Sequence, residues 1–307
     1  MRKNTSTSLL LKVVLILFFV FVMPFLTFAC TADCDHQVRL IYSSLTQDER
    51  ADLDYFFREL IFENYGAFVL FGSKPLCEMS LIDVPVLESF QQRYLATISD
   101  DEKSRWDAEK KQLKAQGLYF EHEHERNPFR GFQVWKTIHD KIGTKRYIVA
   151  VHPVGEGLYS LVLADVVKVA LVLAENYDIF KKITGEDFHP FEMVYELNNS
   201  NSPFWNKILS EGGNFVGKGL LYGYGKKNSL VFGWEKEDFF EMKTFLRPST
   251  AQSIPYGCAN PDNFAIPFFQ TIEEDNIAAK YEKEKVYIQK KYRNKNLVEV
   301  TLQRVFN

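Results

Sequence analysis

The apolar run near the N-terminus places the strongest constraint on how this chain can fold. From Val13 to Ala29 every residue is apolar except Pro24 and Thr27, and two basic residues stand near the start of the chain. A helix of a soluble core would carry a polar face, which this run lacks. A basic start, an apolar stretch and small residues after it are typical of an export signal. Residues 1–30 are therefore predicted to be a signal peptide or a membrane anchor.

Three fates are consistent with this segment. The Thr-Phe-Ala sequence before Cys30 resembles a bacterial lipobox, which would make Cys30 the acylated first residue of a lipoprotein. Because Thr31 rather than aspartate follows, the outer membrane is then the expected destination. Cleavage after Ala29 or Ala32 would instead release a soluble periplasmic or secreted protein. Left uncleaved, the run is long enough to anchor the chain in a bilayer.

The composition excludes some classes of protein. The chain has 37 basic and 40 acidic residues, and removing residues 1–32 leaves 34 against 40, a net charge of −6. A nucleic-acid-binding protein needs a basic stripe that follows the phosphates, so no nucleic-acid partner is expected. Without a CxxC pair, neither a zinc ribbon nor a thioredoxin-like site is expected. At most one disulfide can form among Cys34, Cys77 and Cys258.

The body of the chain, residues 33–307, is predicted to be a single globular domain. Its fold class is mainly α, of the α+β type, with a few short strands. Hydrophobic residues make up 46% of the sequence, which is enough for a substantial core. Thr46 followed by Glu49 is a capping box and predicts the start of a helix. A subdivision near residues 127–150 stays open, because a proline breaks the chain there.

Three stretches carry finer predictions of secondary structure. The runs AFVLFG at 67–72 and KRYIVAVHPV at 145–154 are predicted to be buried strands, because they are short, apolar and bounded by turns. Residues 160–182 are predicted to form one long core helix. Within it, Asp165 and Lys168 would lie one turn apart and pair with each other.

The glycine-rich stretch NFVGKGLLYGYGKKNS, residues 214–229, is either a phosphate-binding loop or a packed helix. A Walker A loop would need glycine and serine or threonine where Leu220 and Lys227 stand. Gly219 and Gly223 are four residues apart, which would place both on one face of a helix for close packing. The stretch is therefore predicted to be a helix, with Gly219 and Gly223 as its packing motif.

The remaining candidates for chemistry are weak. His122 and His124 would share one face of a strand, but no third ligand follows at a suitable spacing, so no metal site is expected. Cys258 has Gln252 six residues before it, which is similar to papain-type thiol proteases. However, Ala259 replaces the aromatic residue that should follow, and no histidine lies downstream. No catalytic residue and no cofactor are assigned.

Two motifs carry a resemblance to a known family. AFVLFGSKPL at 67–76 and GLLYGYGKKNS at 219–229 resemble a group of exported proteins of chlamydia-like intracellular bacteria. Members of that group carry an FG-x-KP turn and an LL-x-GYG-x-x-N stretch further along the chain. The resemblance implies a Gram-negative envelope location and a helix for the glycine stretch, and it implies no activity.

The sequence thus predicts an exported, envelope-associated protein that acts by binding or as a structural component, rather than as an enzyme. Contact with the membrane is expected through a lipid on Cys30 or through the anchor, and a protein partner is expected for the body. The alternative is an envelope hydrolase. In that case Cys258 or a serine would be activated by an upstream histidine, either His152 or His189.

Overall fold

The structure, a computed structural model, describes residues 36–97, 99–115, 127–210, 212–237, 260–267 and 276–307. Most of these residues are helical, and one three-stranded antiparallel sheet accompanies the helices, which confirms the predicted mainly α, α+β class. The strands are β1 (Leu76–Ile82), β2 (Tyr147–Gly155) and β3 (Leu158–Asp165). The helices are α1 (36–44), α2 (Gln47–Arg58), α3 (Gly66–Leu70), α4 (Val84–Thr97), α5 (Asp100–Ala115), α6 (Pro128–Ile142), α7 (Val166–Glu175), α8 (Tyr177–Thr184), α9 (Pro190–Tyr195), α10 (Pro203–Leu209), α11 (Phe215–Leu221), α12 (Lys226–Glu237), α13 (Ile277–Tyr292) and α14 (Leu297–Phe306).

The sheet separates two hydrophobic cores. Its strand order is β1-β3-β2, and β2 and β3 form a hairpin. Because successive side chains of a strand point to opposite faces, the odd-numbered and even-numbered residues enter different cores. The first core takes the odd-numbered residues and packs them against α2, α3, α6, α13 and α14. The second core takes the even-numbered residues and packs them against α7 to α11. The sheet is therefore covered on both sides.

The capping box at the start of α2 is confirmed. The Glu49 amide donates to Thr46 Oγ1 at 3.2 Å, and the Thr46 amide donates to Glu49 Oε2 at 2.8 Å. These reciprocal bonds satisfy amides that have no partner within the helix. The strand predicted at 145–154 is also confirmed, as β2.

The strand predicted at 67–72 is wrong, because this stretch contains α3. All five residues of α3 are buried, so the apolar run has no polar face to reveal a period. Side chains from distant elements satisfy the carbonyl groups at its C-terminus. Lys168 Nζ donates to Val69 O at 2.5 Å, and Arg304 Nε donates to Leu70 O at 2.9 Å. These long-range bonds stabilise a helix end that the local sequence does not mark.

The long helix predicted at 160–182 is also wrong. Its first part is β3, and α7 begins only at Val166. Five consecutive residues of β3 are buried, because the two cores cover both faces of the strand. A strand buried on both faces is an unbroken apolar run, like a buried helix. The predicted pair is present, with Lys168 Nζ 3.3 Å from Asp165 Oδ2, although Asp165 is the N-cap of α7 rather than a residue inside it.

Several predictions fall on residues outside the described ranges. These are the export segment with Cys30, and the residues Cys34, His122, His124 and Cys258. Cys77 is described, and its thiol is free and buried. Within the described ranges, no helix is both long enough and apolar enough to cross a membrane. The division into a leader and a single domain stays a prediction.

Candidate functional site

The two stretches that carry the family resemblance meet at Lys74. Lys74 lies just before β1, and residues 222–225 connect α11 to α12. Lys74 Nζ donates a hydrogen bond to the carbonyl oxygen of Tyr222 at 2.5 Å. The rings of Tyr65, Tyr222 and Tyr224 surround the same ammonium group, with centroids at 5.7, 5.4 and 5.2 Å. Ring faces attract a cation, and the attraction strengthens when water is excluded.

Burial decides the protonation behaviour of Lys74. Only 2% of the residue is exposed, and this burial lowers the pKa of Lys74 to about 8, with the nearby Cys77 thiol acting in the opposite direction. Burial disfavours the charged form of an amine because the surroundings replace water poorly. The three rings and the carbonyl oxygen offset part of this loss. Because it is enclosed, Lys74 holds the 222–225 turn against the start of β1.

The continuous helix predicted over 214–229 is wrong, because the chain leaves the helix at the 222–225 turn. The Tyr224 amide donates to Gly219 O at 3.0 Å and the Gly223 amide donates to Leu220 O at 3.1 Å. This pair of bonds is a Schellman motif, which ends α11, and it places Gly223 at a φ of +75°. Glycine takes this conformation without a steric penalty.

The two predicted packing glycines both allow close contacts, but from different structures. A Cβ atom on Gly219 would lie 2.6 Å from Ser229 Oγ, so α11 and α12 approach closely there. A Cβ atom on Gly223 would overlap the Tyr281 hydroxyl and lie 3.2 Å from Pro75 Cδ. Tyr281 donates to the carbonyl oxygen of Gly223 at 2.9 Å. Gly219 therefore lies in helix α11 and packs against Ser229, whereas Gly223 lies in the turn and packs against Tyr281.

A second polar group adjoins Lys74 and consists of Glu78, Ser160, His152 and Tyr222; we call it the Glu78 cluster. Ser160 Oγ donates to Glu78 Oε1 at 2.5 Å, and the Tyr222 hydroxyl donates to Glu78 Oε2. His152 lies directly opposite Ser160 in the β2–β3 pairing. Burial lowers the pKa of His152, and the negative charge of Glu78 raises it. Sequence reasoning singled out only His152 of these residues.

The Glu78 cluster bears on the hydrolase alternative. A base-activated serine donates its hydroxyl proton toward a histidine nitrogen. Ser160 donates to Glu78 instead, and the His152 ring makes a hydrogen bond to the Leu197 backbone. The other histidine of that alternative, His189, is exposed at the start of α9. These contacts do not form a nucleophile–base pair.

A groove of about 480 Å³ lies between α6 and the β2–β3 hairpin; we call it the α6 groove. The rings of Phe129 and Tyr159 stack across it with centroids 5.5 Å apart. Asn127 fixes the start of α6, since its side chain caps the helix and also donates to Ile82 O of β1 at 2.8 Å. The α6 groove is lined by Phe129, Phe132, Trp135, Lys136, His139, Asp140, Val149, Val151, Pro153 and Tyr159.

The charged and imidazole side chains of the α6 groove all belong to α6. Lys136, His139 and Asp140 are three and four residues apart, so they share one side of the helix. His139 Nδ1 lies 3.7 Å from Asp140 Oδ1, and His139 Nε2 lies 3.5 Å from Thr144 Oγ1. The wall formed by the hairpin is apolar apart from the Tyr159 hydroxyl. The groove therefore offers an apolar surface along one side and charged or hydrogen-bonding groups along the other.

Comparison with known proteins adds no assignment to this geometry. No family model, no curated protein and no solved structure matches the chain. In the part of the chain that the structure describes, no three histidine, cysteine, aspartate or glutamate residues come together as metal ligands would.

Proposed function

We propose that this protein is an exported, envelope-associated binding protein without enzymatic activity, and that the α6 groove holds its ligand. The groove carries the proposal. Its volume of about 480 Å³ is in the usual range of small-molecule sites, which are mostly apolar and contain a few polar groups. In the Glu78 cluster, by contrast, the Ser160 and Tyr222 hydroxyls donate their hydrogen bonds to Glu78 within the cluster.

The lining of the groove indicates the chemistry of the ligand. The stacked pair Phe129–Tyr159 and the side chains of β2 favour a flat or branched apolar body. Lys136 and His139 favour a head group that accepts hydrogen bonds, and Asp140 lies beside them. The proposed ligand is therefore a small amphipathic molecule with an apolar body and a hydrogen-bond-accepting head.

Anilinonaphthalene sulfonate has this chemistry and becomes fluorescent when it is bound in an apolar site. We expect saturable fluorescence enhancement with the folded protein. Val151→Glu should remove it, because the new carboxylate would lie in the groove and repel the sulfonate. Val167→Glu is the matched control, since Val167 is 48% exposed on α7, away from the groove. Equal enhancement in both variants would contradict the groove assignment.

Export and membrane contact are supported by the apolar run before Cys30 and by the resemblance to exported proteins of chlamydia-like bacteria. We propose a lipid on Cys30 and an outer-membrane location, with a secreted or periplasmic form as the alternative. Palmitate labelling that is lost in Cys30→Ala would support the lipoprotein. A chain without label that starts after Ala29 or Ala32 would support the cleaved form.

The hydrolase stays the second candidate because Ser160 and His152 are paired across β2 and β3, although Ser160 donates its hydrogen bond to Glu78 rather than to His152. A fluorophosphonate probe distinguishes the two functions, since it reacts only with an activated serine. The binding proposal predicts no labelling of the native protein. Labelling that Ser160→Ala abolishes would replace it with the hydrolase, and labelling of Cys258 by a thiol-protease probe would do the same.

A further inference from the structure

We infer that Arg146, Lys168 and Arg304 form a binding site for a phosphate group. The three residues come from different elements. Arg146 precedes β2, Lys168 lies on α7 and Arg304 lies on α14. They converge around the ring of Tyr147 and the C-terminal end of α3. This cation cluster is separate from the α6 groove and does not depend on the proposed function.

Tyr147 and α3 bring the three cations together. The Cζ atoms of Arg146 and Arg304 lie 5.5 and 5.8 Å from the centroid of the Tyr147 ring. The Tyr147 hydroxyl and Arg304 Nε both donate to the carbonyl oxygen of Leu70, at 3.1 and 2.9 Å. Lys168 Nζ donates to the carbonyl of the residue before it, Val69. These contacts hold the cations in fixed positions.

In the described part of the chain, the carboxylate of Asp165 contacts two of the three cations, Arg146 and Lys168. Asp165 Oδ2 accepts from Arg146 Nε and Nη2 at 3.0 and 2.9 Å, and it lies 3.3 Å from Lys168 Nζ. Asp165 Oδ1 accepts from the first amides of α7. The carboxylate is fully buried and its oxygens are engaged, so it balances one positive charge of the three.

The charges of the two arginines also act on Lys168. Burial lowers the pKa of Lys168, and Asp165 raises it, while the charges of Arg146 and Arg304 lower it further. Like charges that remain close together in a partly buried place favour an anion between them. Among the described residues, no second carboxylate fills that role.

The two guanidinium groups have donors to spare. Arg304 uses only Nε, and Arg146 uses Nε and Nη2, in hydrogen bonds to described residues. The Arg146 side chain is 41% exposed and Arg304 is half-buried, so solvent reaches the cluster. A planar guanidinium matches the oxygens of a phosphate with two parallel bonds, which makes arginine a common phosphate ligand. The free donors of the two guanidinium groups and the uncompensated positive charge suit a phosphate group.

Phosphate could come from a free phosphorylated compound or from the head group of a lipid. Phosphorus NMR of inorganic phosphate, titrated with the full folded chain, tests the first source. We expect broadening of the phosphate signal that saturates. Sedimentation with phosphatidylglycerol vesicles, compared with phosphatidylcholine vesicles, tests the second source, in protein whose leader and lipid have been removed.

Arg304→Gln and Arg146→Gln should each weaken the interaction by about tenfold, because each removes charge-assisted hydrogen bonds. Arg130→Gln is the control, since Arg130 is an exposed arginine of α6 outside the cluster. Loss in the two cluster variants with either probe, and not in the control, supports the site and identifies the source. If the wild-type protein binds neither probe, or if the control loses binding equally, the inference is wrong. Binding of the two probes by the wild-type protein tests the inference even if a cluster variant fails to fold.

Discussion

Lys74 Nζ donates a hydrogen bond to the carbonyl oxygen of Tyr222, which lies 148 residues further along the chain. The other end of Tyr222, its hydroxyl, donates to Glu78 on β1. Tyr222 therefore hydrogen-bonds both the buried ammonium of Lys74 and the carboxylate of Glu78. The connection joins β1 to the turn between α11 and α12, and we expect it to stabilise the fold rather than to perform chemistry.

The buried ammonium of Lys74 makes stability depend on pH. Burial lowers the pKa of Lys74 from 10.5 to about 8, so between these values the unfolded chain binds more protons than the folded chain. The contribution of Lys74 to the free energy of unfolding therefore rises as pH increases from about 8 to about 10.5. The difference between the two pKa values corresponds to about 3 kcal/mol.

Lys74→Met lacks this titration. Urea unfolding between about pH 7 and about pH 11 should show the wild type gaining stability relative to Lys74→Met by about that amount. Lys226→Met, at an exposed lysine, should give a curve parallel to the wild type. Parallel curves for Lys74→Met and the wild type would mean that the ammonium is not buried as described.

Gly223→Ala should be more destabilising than an ordinary substitution of a glycine in a turn. Alanine at a positive φ costs about 1 kcal/mol, and the overlap of its Cβ with the Tyr281 hydroxyl adds about 1–3 kcal/mol. Gly185→Ala is the matched control, because Gly185 has a φ of +78° and nothing within 4 Å of a Cβ atom. Thermal and urea unfolding measure both. Equal losses would show that Gly223 has room for a side chain.

Asp165→Asn should destabilise the protein by about 3 kcal/mol, because Arg146 and Lys168 would lose the charge that faces them. Asparagine is itself a good N-cap, so α7 should keep its start and the loss reports the charge. Asp187→Asn is the control, since Asp187 pairs with Lys181 at 2.7 Å on the surface. Its unfolding midpoint should hardly move, because exposed ion pairs contribute little. Similar losses in both variants would contradict the buried position of Asp165.

Local signals predicted the parts of the fold that short-range contacts determine. The capping box of Thr46 and Glu49 specifies the start of α2 within four residues of chain, and turns bound the strand β2. The predictions for α3 and β3 were wrong because all of α3 and the last five residues of β3 are buried. Their apolar runs carry no period, and the donors that fix the end of α3, Lys168 and Arg304, are distant in the sequence.

The candidate sites were harder to predict for the same reason. Lys74 looked like part of a turn, since its partner Tyr222 belongs to another motif far along the chain. Glu78 is the only charged residue of β1, and such a lone charge in a largely apolar strand is the one local sign of the half-buried Glu78 cluster. The α6 groove joins a helix to a hairpin, and its aromatic residues read as core positions in the sequence.

The central claim is that the protein binds an amphipathic ligand in the α6 groove, and methyl NMR tests it most directly. With anilinonaphthalene sulfonate added, the methyl signals of Val149 and Val151 should shift until saturation. The signals of Val167 and Leu171, which are exposed apolar residues on α7, should not move. Shifts confined to α7, or no shift in the groove, would contradict the claim.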